Sequence, residues 1–198
     1  MKVTIIDSGL GGIVFSKSLE ELDFLNVIPL IDYEGFPYGN KELDWLKDRL
    51  ISLVDNSNTN FCIIACNTLS SIIYEYDLIF SKKVVDVITP TIYFFMTRKY
   101  EKIVVLATQN TIKLDIYRRL LNDVVYIDAS KLIFDLQNDL DYLASLDEVL
   151  SLVPDDCDFL LLGCTHLIYI KEAFRQKVNI TVISQDEIFI SLFKNDFI

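Results

Sequence analysis

Residues 61–72 read Phe-Cys-Ile-Ile-Ala-Cys-Asn-Thr-Leu-Ser-Ser-Ile. The run Phe61 to Ala65 is uncharged and partly β-branched, the composition of a strand covered on both faces. It stops at Cys66-Asn67-Thr68, and Asn and Thr are residue types that start helices. A buried strand that turns straight into a helix is the unit of an open α/β sheet. Such sheets bind ligands at the carboxyl ends of their strands, which is where this reading puts Cys66.

Residues 158–169, DFLLLGCTHLIY, repeat the plan: an apolar run, then Gly163-Cys164-Thr165-His166, then a helical pattern. The chain's single histidine follows the second cysteine by two positions. The repetition points to two halves, each contributing a cysteine to one active site.

Outward from these stretches, Met1 to Asp7 reads as a strand, Ser8 to Gly12 as a glycine-rich turn and Ile13 to Leu22 as a helix. The turn lacks the closing Gly-Lys-Ser/Thr of a P-loop and the third glycine of a dinucleotide fingerprint. Two readings of its glycines stay open: a tight turn, or bare N–H groups approaching an anion at a helix N-terminus. A strand over Val27 to Tyr33 leads to the turn-rich loop Phe36 to Lys41. A helix over Lys41 to Val54 follows, with Leu43, Leu46, Leu50 and Leu53 on one stripe. Ser70 to Phe80 is read as a helix and Val84 to Ile88 as a strand. Thr89-Pro90 opens a new segment, helical to about Lys99, and marks a domain junction. The second half restarts with a strand over Lys102 to Ala107, the turn Thr108 to Thr111 and a helix through Leu121. A strand over Val124 to Asp128 precedes helices over Ala129 to Asn138 and Leu143 to Leu152. Ile180 to Ser184 is the last strand, and Glu187 to Phe193 a short helix. Strands alternating with helices predict mostly parallel sheets.

The chain has 198 residues, 52% of them hydrophobic, enough for one large domain or two small ones. No apolar run reaches the ~18 residues of a membrane span. The N-terminus enters a strand without the long apolar stretch of a signal peptide. A cytoplasmic protein with no membrane association is expected. The net charge of −11 speaks against a nucleic-acid partner, which usually meets a basic face. The four cysteines are expected to be reduced in such a compartment. Cys66, Cys164 and His166 are zinc-ligand types, but the four-ligand spacings of structural zinc are absent, so no metal is expected.

A thiolate is a good base, and a helix N-terminus lowers the ordinary thiol pKa of ~8.5. Two such cysteines facing each other can remove a proton from one face of a carbon and deliver one to the other. That inverts a stereocentre without a cofactor. Cys62 and Cys157 read as packing residues. His166 reads as an acid/base partner or a tuner of Cys164. Asp7 is either a cap for its own loop or a carboxylate that faces a substrate ammonium or assists a thiol. Thr68, Thr111 and Thr165 are either caps or ligands of a substrate carboxylate. An acidic protein that binds an acidic ligand has to build positive potential locally, from helix N-termini and amide N–H groups.

Five stretches, in order along the chain, resemble the motifs of the aspartate/glutamate racemase family. They are Asp7 to Gly12, Pro37-Tyr38-Gly39-Asn40-Lys41, Ala65-Cys66-Asn67-Thr68, Thr108 to Lys113 and Gly163-Cys164-Thr165-His166. The first looks more like the glutamate racemases than the aspartate enzymes. The resemblance implies an α/β fold of two similar lobes, each a mostly parallel sheet flanked by helices, with the active site in the cleft between them. One lobe would comprise residues 1–90 plus 186–198 and carry Asp7 and Cys66. The other would comprise 91–185 and carry Cys164 and His166. The implied activity is cofactor-independent interconversion of L- and D-glutamate, supplying D-glutamate for peptidoglycan, often by a homodimer. By resemblance, Cys66 handles the α-proton of D-glutamate and Cys164 that of L-glutamate, with Asp7 and His166 assisting. Asp7, Ser8, Tyr38, Gly39, Asn67, Thr68, Thr165 and His166 match substrate-binding positions.

The chain also departs from the family. It is short around Asp123 to Asp158 and at its C-terminus, and Leu167-Ile168 stand where the family usually has Tyr-Pro. Ala129 to Asn138 resembles a segment ending in a glutamate near the catalytic histidine, and Asn138 takes that place. Three alternatives remain beside glutamate racemisation. One is a racemase or isomerase of another acidic amino acid such as aspartate. Another is a weakly active relative that binds an acidic amino acid. The third is a thiol hydrolase, which leaves the second cysteine unexplained.

Overall fold

A computed structural model describes residues 1–194; the last four residues of the segment 186–198 lie outside the described residues. The first half runs β1 (Lys2–Asp7), α1 (Leu10–Leu19), β2 (Asn26–Ile31), α2 (Leu43–Asp55), β3 (Phe61–Ile64), α3 (Asn67–Glu75), β4 (Lys83–Asp86) and α4 (Ile88–Met96). The second runs β5 (Ile103–Ala107), α5 (Gln109–Leu114), α6 (Ile116–Leu120), β6 (Val124–Asp128), α7 (Ser130–Gln137), α8 (Leu143–Ser151), β7 (Phe159–Leu162), α9 (Lys171–Lys177), β8 (Thr181–Ser184) and α10 (Gln185–Lys194).

The strands form two parallel four-stranded sheets, ordered β2-β1-β3-β4 and β6-β5-β7-β8. The near-continuous apolar strands take the centres. β3 and β5 are buried throughout, as is β1 from Val3 onward. The edge strands β2, β4 and β6 are more exposed. In register, Ile5 lies beside Ile63 and Val105 beside Leu161. The strand order reverses between β1 and β3, and again between β5 and β7. Those are the points where an open parallel sheet leaves a crevice at its carboxyl end. Asp7 ends β1, and Thr108, Cys66 and Cys164 follow closely after β5, β3 and β7.

The first sheet packs Val3, Ile5 and Ile63 against Phe15 and Leu19 of α1 and Phe189 and Phe193 of α10. Behind the second sheet, Val104, Leu106, Leu160 and Leu162 meet Leu132, Leu146 and Phe174. A third cluster runs through both lobes, joining Ile64 and Leu69 to Val105, Tyr117 and Leu161. Leu167 fills the second cluster and Ile168 the first, so the pair that departs from the family pattern is buried apolar packing.

The structure redraws several predicted elements. α1 begins at Leu10, inside the glycine-rich turn, and α3 begins directly at Asn67. The single helix expected through Leu121 is broken at Asp115, which is left-handed with φ 57°. Asp tolerates that conformation better than most side chains. The break leaves the Tyr117 N–H to the Tyr126 hydroxyl (3.1 Å) and sends the Tyr117 phenol inward to Asn67 Oδ1 (2.7 Å). After Cys164 the chain makes a tight 3-10 segment, Thr165–Ile170, before α9. Among the described residues no helix is long and apolar enough to cross a membrane.

Candidate active site

The carboxyl ends of the central strands of both sheets open onto one cavity of about 160 Å³. Ser8, Tyr38, Gly39, Cys66, Asn67, Thr68, Thr108, Cys164, Thr165 and His166 line it. Of the residues singled out from sequence, only Asp7 and Thr111 stand behind the wall, each bonded to a residue that forms it. The lining contains no lysine or arginine.

Cys66 occupies the N-cap position of α3, and Cys164 the equivalent position before the 3-10 segment. The expected lowering of their pKa does not survive burial. Burial pushes the Cys66 thiol well above the ordinary range, and the charge of Asp7 adds to it. The N–H groups of Leu69 and Thr68 act in the opposite, expected direction and are outweighed. Burial pushes Cys164 up to about 12, against the pull of the His166 N–H. Desolvating a thiolate outweighs the dipole of one helix turn. Both groups rest as thiols.

Asp7 is fully buried. Its Oδ1 accepts the N–H groups of Ser8 (2.6 Å) and Gly9 (3.1 Å), and its Oδ2 accepts the Thr165 hydroxyl from the other lobe (2.9 Å). Burial raises its pKa to about 6 despite these bonds. It therefore caps its own loop and also places a buried charge beside both cysteines.

Four N–H groups of the glycine-rich turn are spent within the protein. Those of Ser8 and Gly9 go to Asp7, that of Leu10 to Gln137 Oε1 (2.8 Å) and that of Gly12 to Gly9 O (3.0 Å). What the turn supplies is closeness. A Cβ on Gly11 would lie 2.5 Å from the His166 backbone nitrogen, so α1 presses directly on the second lobe only because that atom is missing.

The threonine hydroxyls do not cap helices: Thr108 holds the N-cap position of α5 without a side-chain cap bond. Thr68 bonds Thr108 (2.9 Å) and Thr111 (3.4 Å), and Thr108 bonds Thr111 (3.1 Å), a hydroxyl cluster across the seam between lobes. Asn67 pairs its amide with that of Gln185 and accepts from Tyr117. Tyr38 turns its phenol away from the cavity to donate to Asp32, which Arg49 grips from two nitrogens (2.7 and 2.5 Å). Burial raises the Asp32 carboxyl, but these bonds outweigh it and hold it below the usual carboxylate value. From the second lobe, Asn110 Nδ2 donates to Tyr38 O (2.9 Å) and Lys41 O (2.8 Å), pinning the loop that carries Gly39.

His166 Nδ1 lies 3.7 Å from Cys164 Sγ, and Nε2 lies 2.7 Å from Gln137 Oε1. Burial pushes the imidazole down to about 4, so it is neutral at pH 7. The neighbour of His166 is thus Gln137 and not Asn138, whose amide turns outward to Phe134 O (2.8 Å). Consecutive helix residues point about 100° apart, so only one of the two can face the cleft. The spacing carried the signal: Ser130, Ile133 and Gln137 fall at i, i+3 and i+7 on α7, and Ser130, Ile133 and Phe134 line the cavity. None of these was singled out from sequence, nor were Phe36, Pro37, Asn40, Thr108 and Gln109 as wall residues.

Residues 37–191 match the family described as Asp/Glu/Hydantoin racemase. The curated glutamate racemase of Fusobacterium nucleatum is 28% identical over 209 residues, spanning 92% of this chain and 75% of that protein. The crystal structure of glutamate racemase from Campylobacter jejuni superposes with a TM-score of 0.84 at 24% identity, covering 99% of this chain and 86% of that one. That of Francisella tularensis, described as in complex with D-glutamate, gives 0.80 at 24% identity, covering 100% and 82%.

Proposed function

Because the chain belongs to the Asp/Glu/hydantoin racemase family, we propose that it interconverts L- and D-glutamate by proton transfer at the α-carbon. The observation that carries this reading is the placement of two thiols. They stand at equivalent strand ends of two similarly ordered sheets and line one cavity. Such a pair can address opposite faces of one carbon. In this reading Cys66 removes the α-proton of D-glutamate while the Cys164 thiol delivers a proton to the other face, and L-glutamate reverses the roles. The substrate ammonium offsets the Asp7 charge, which adds to the burial that keeps both thiols protonated. Ser8, Gly39, Thr68 and Thr165 supply uncharged hydrogen-bonding groups for two carboxylates, with Tyr38, Asn67 and His166 shaping the same wall. Thr111 supports Thr68 from behind. No cofactor enters this chemistry.

We assign residues 1–90 with the described part of 186–198, residues 186–194, to the lobe bearing Asp7 and Cys66, and 91–185 to the lobe bearing Cys164 and His166. The physiological product would be D-glutamate for peptidoglycan, made in the cytoplasm, and a homodimer is the assembly to look for by size measurement. The catalytic reading is tested by proton NMR of each glutamate enantiomer in D2O. The protein should erase both α-proton signals. Cys164→Ala should preserve the signal of L-glutamate, and Cys66→Ala that of D-glutamate. Exchange of aspartate alone would transfer the reading to that substrate. Binding that survives loss of both cysteines, with no exchange, would leave an acidic-amino-acid-binding relative.

A further inference from the structure

We propose that Gln137 is a positioning residue that holds His166 in the Nε2–H form and so presents Nδ1 to Cys164 as the proton acceptor. The inference rests on the reading of Cys164 as an acid/base group, and it follows from donor and acceptor counting. The Leu10 backbone N–H can only donate, so the Gln137 atom 2.8 Å from it is the amide oxygen. That oxygen can only accept. His166 Nε2, 2.7 Å from the same atom, therefore carries the proton. A neutral imidazole then has its lone pair on Nδ1, which faces Cys164 Sγ at 3.7 Å. The resting contact is S–H donating to Nδ1.

When Cys164 becomes a base, its S–H bond breaks, the electron pair stays on sulfur and the proton forms an Nδ1–H bond. The imidazolium keeps its Nε2–H on Gln137. An amide orients the ring but brings no negative charge to stabilise that imidazolium, as a carboxylate at the same place would. The other ionisable groups around the pair do not supply it favourably. Asp7 from β1 adds a charge that opposes the Cys164 thiolate. Cys66, on the opposite wall, is itself held as a thiol. The Tyr38 phenol is turned to Asp32. Gln137 also spans the cleft, since Leu10 belongs to α1 and the amide to α7. A Cβ on Gly9 would lie 3.1 Å from Gln137 Cδ and 2.9 Å from His166 Nε2, so that contact needs the bare glycine.

The chain has one histidine, so 15N NMR of the labelled ring reads the tautomer without ambiguity and without turnover. The wild-type protein should show a protonated Nε2 and an unprotonated Nδ1. Gln137→Ala should lose that bias, whereas Asn138→Ala should keep it. Gln137→Glu should raise imidazole basicity and move the acid-limb pH midpoint of L-glutamate α-proton exchange up by about one unit, because the neutral Nδ1 that accepts the Cys164 proton is then lost at higher pH. That is roughly a tenfold slower exchange on the acid limb. A protonated Nδ1 in the wild type, an unchanged tautomer in Gln137→Ala, or an unmoved pH profile in Gln137→Glu would overturn the proposal. Should no variant exchange either enantiomer, the racemase reading fails, and the nitrogen signals still decide the tautomer.

Discussion

Replacing Asp7 by Asn should stabilise the protein, and by an amount that depends on pH. The Asp7 carboxyl moves from 3.8 to about 6 on folding because it is buried. At ~1.4 kcal/mol per tenfold in an equilibrium, that shift corresponds to about 3 kcal/mol. A carboxyl whose folded pKa is raised contributes stability that is fully present below pH 3.8 and lost as pH rises through about 6. Above that window the native state holds a buried carboxylate at a cost of about 3 kcal/mol relative to the unfolded chain. Asn keeps the bonds: its oxygen accepts from Ser8 and Gly9, and its amide donates to Thr165 once that hydroxyl rotates. The two thiols stay uncharged across the window and do not blur the comparison. Urea unfolding at pH 4, 6 and 8 should therefore show Asp7→Asn nearly equal to wild type at pH 4. At pH 8 it should be more stable by up to about 3 kcal/mol, or roughly 6–12 °C in Tm for a chain of this length. A stability difference that does not change with pH would refute the argument, because a lost or gained contact has no reason to follow the ionisation of one carboxyl.

Two further substitutions probe the scaffold. Gly11→Ala places a Cβ 2.5 Å from the His166 backbone nitrogen. It should separate the lobes locally, costing about 1–3 kcal/mol and lowering α-proton exchange, both readable from a thermal melt and the NMR assay. Arg49→Met leaves Asp32, which is 5% exposed, without its cation. With Arg49 partly solvated the loss should be ~2 kcal/mol, below that of a fully buried pair. It should appear as a raised KM with a smaller change in kcat, because Asp32 anchors the loop of Tyr38 and Gly39.

The alternating strands and helices were legible because they depend on short-range pattern. β3 and β7 announce themselves as uncharged runs, and their ends place Cys66 and Cys164 at the sheet crevices. Where the reading erred, the cause was a neighbour distant in sequence. The helix break at Asp115 serves Tyr117, whose phenol partner Asn67 lies 50 positions away. The residue against His166 was placed one position too late, at Asn138 just past the end of α7. A one-residue shift changes the face of a helix without changing its composition.

What the sequence by itself determined about this protein is the fold class, the repeated strand-cysteine-helix plan and the set of residues that gather at the strand ends. The fold class and the repeated plan follow from the local order of apolar and capping residues along the chain, while Ser8, Tyr38, Gly39 and Asn67 entered the set through the resemblance to the racemase motifs. Only the tertiary structure decided the electrostatics of the site. Both thiols are raised where a helix start alone would lower them. Asp7 carries a pKa of about 6, and the N–H groups of Ser8, Gly9 and Leu10 in the glycine turn are spent within the protein. The physical reason is that desolvation and hydrogen-bond partnership depend on which atoms the second lobe lays against the first, and no local pattern carries that information.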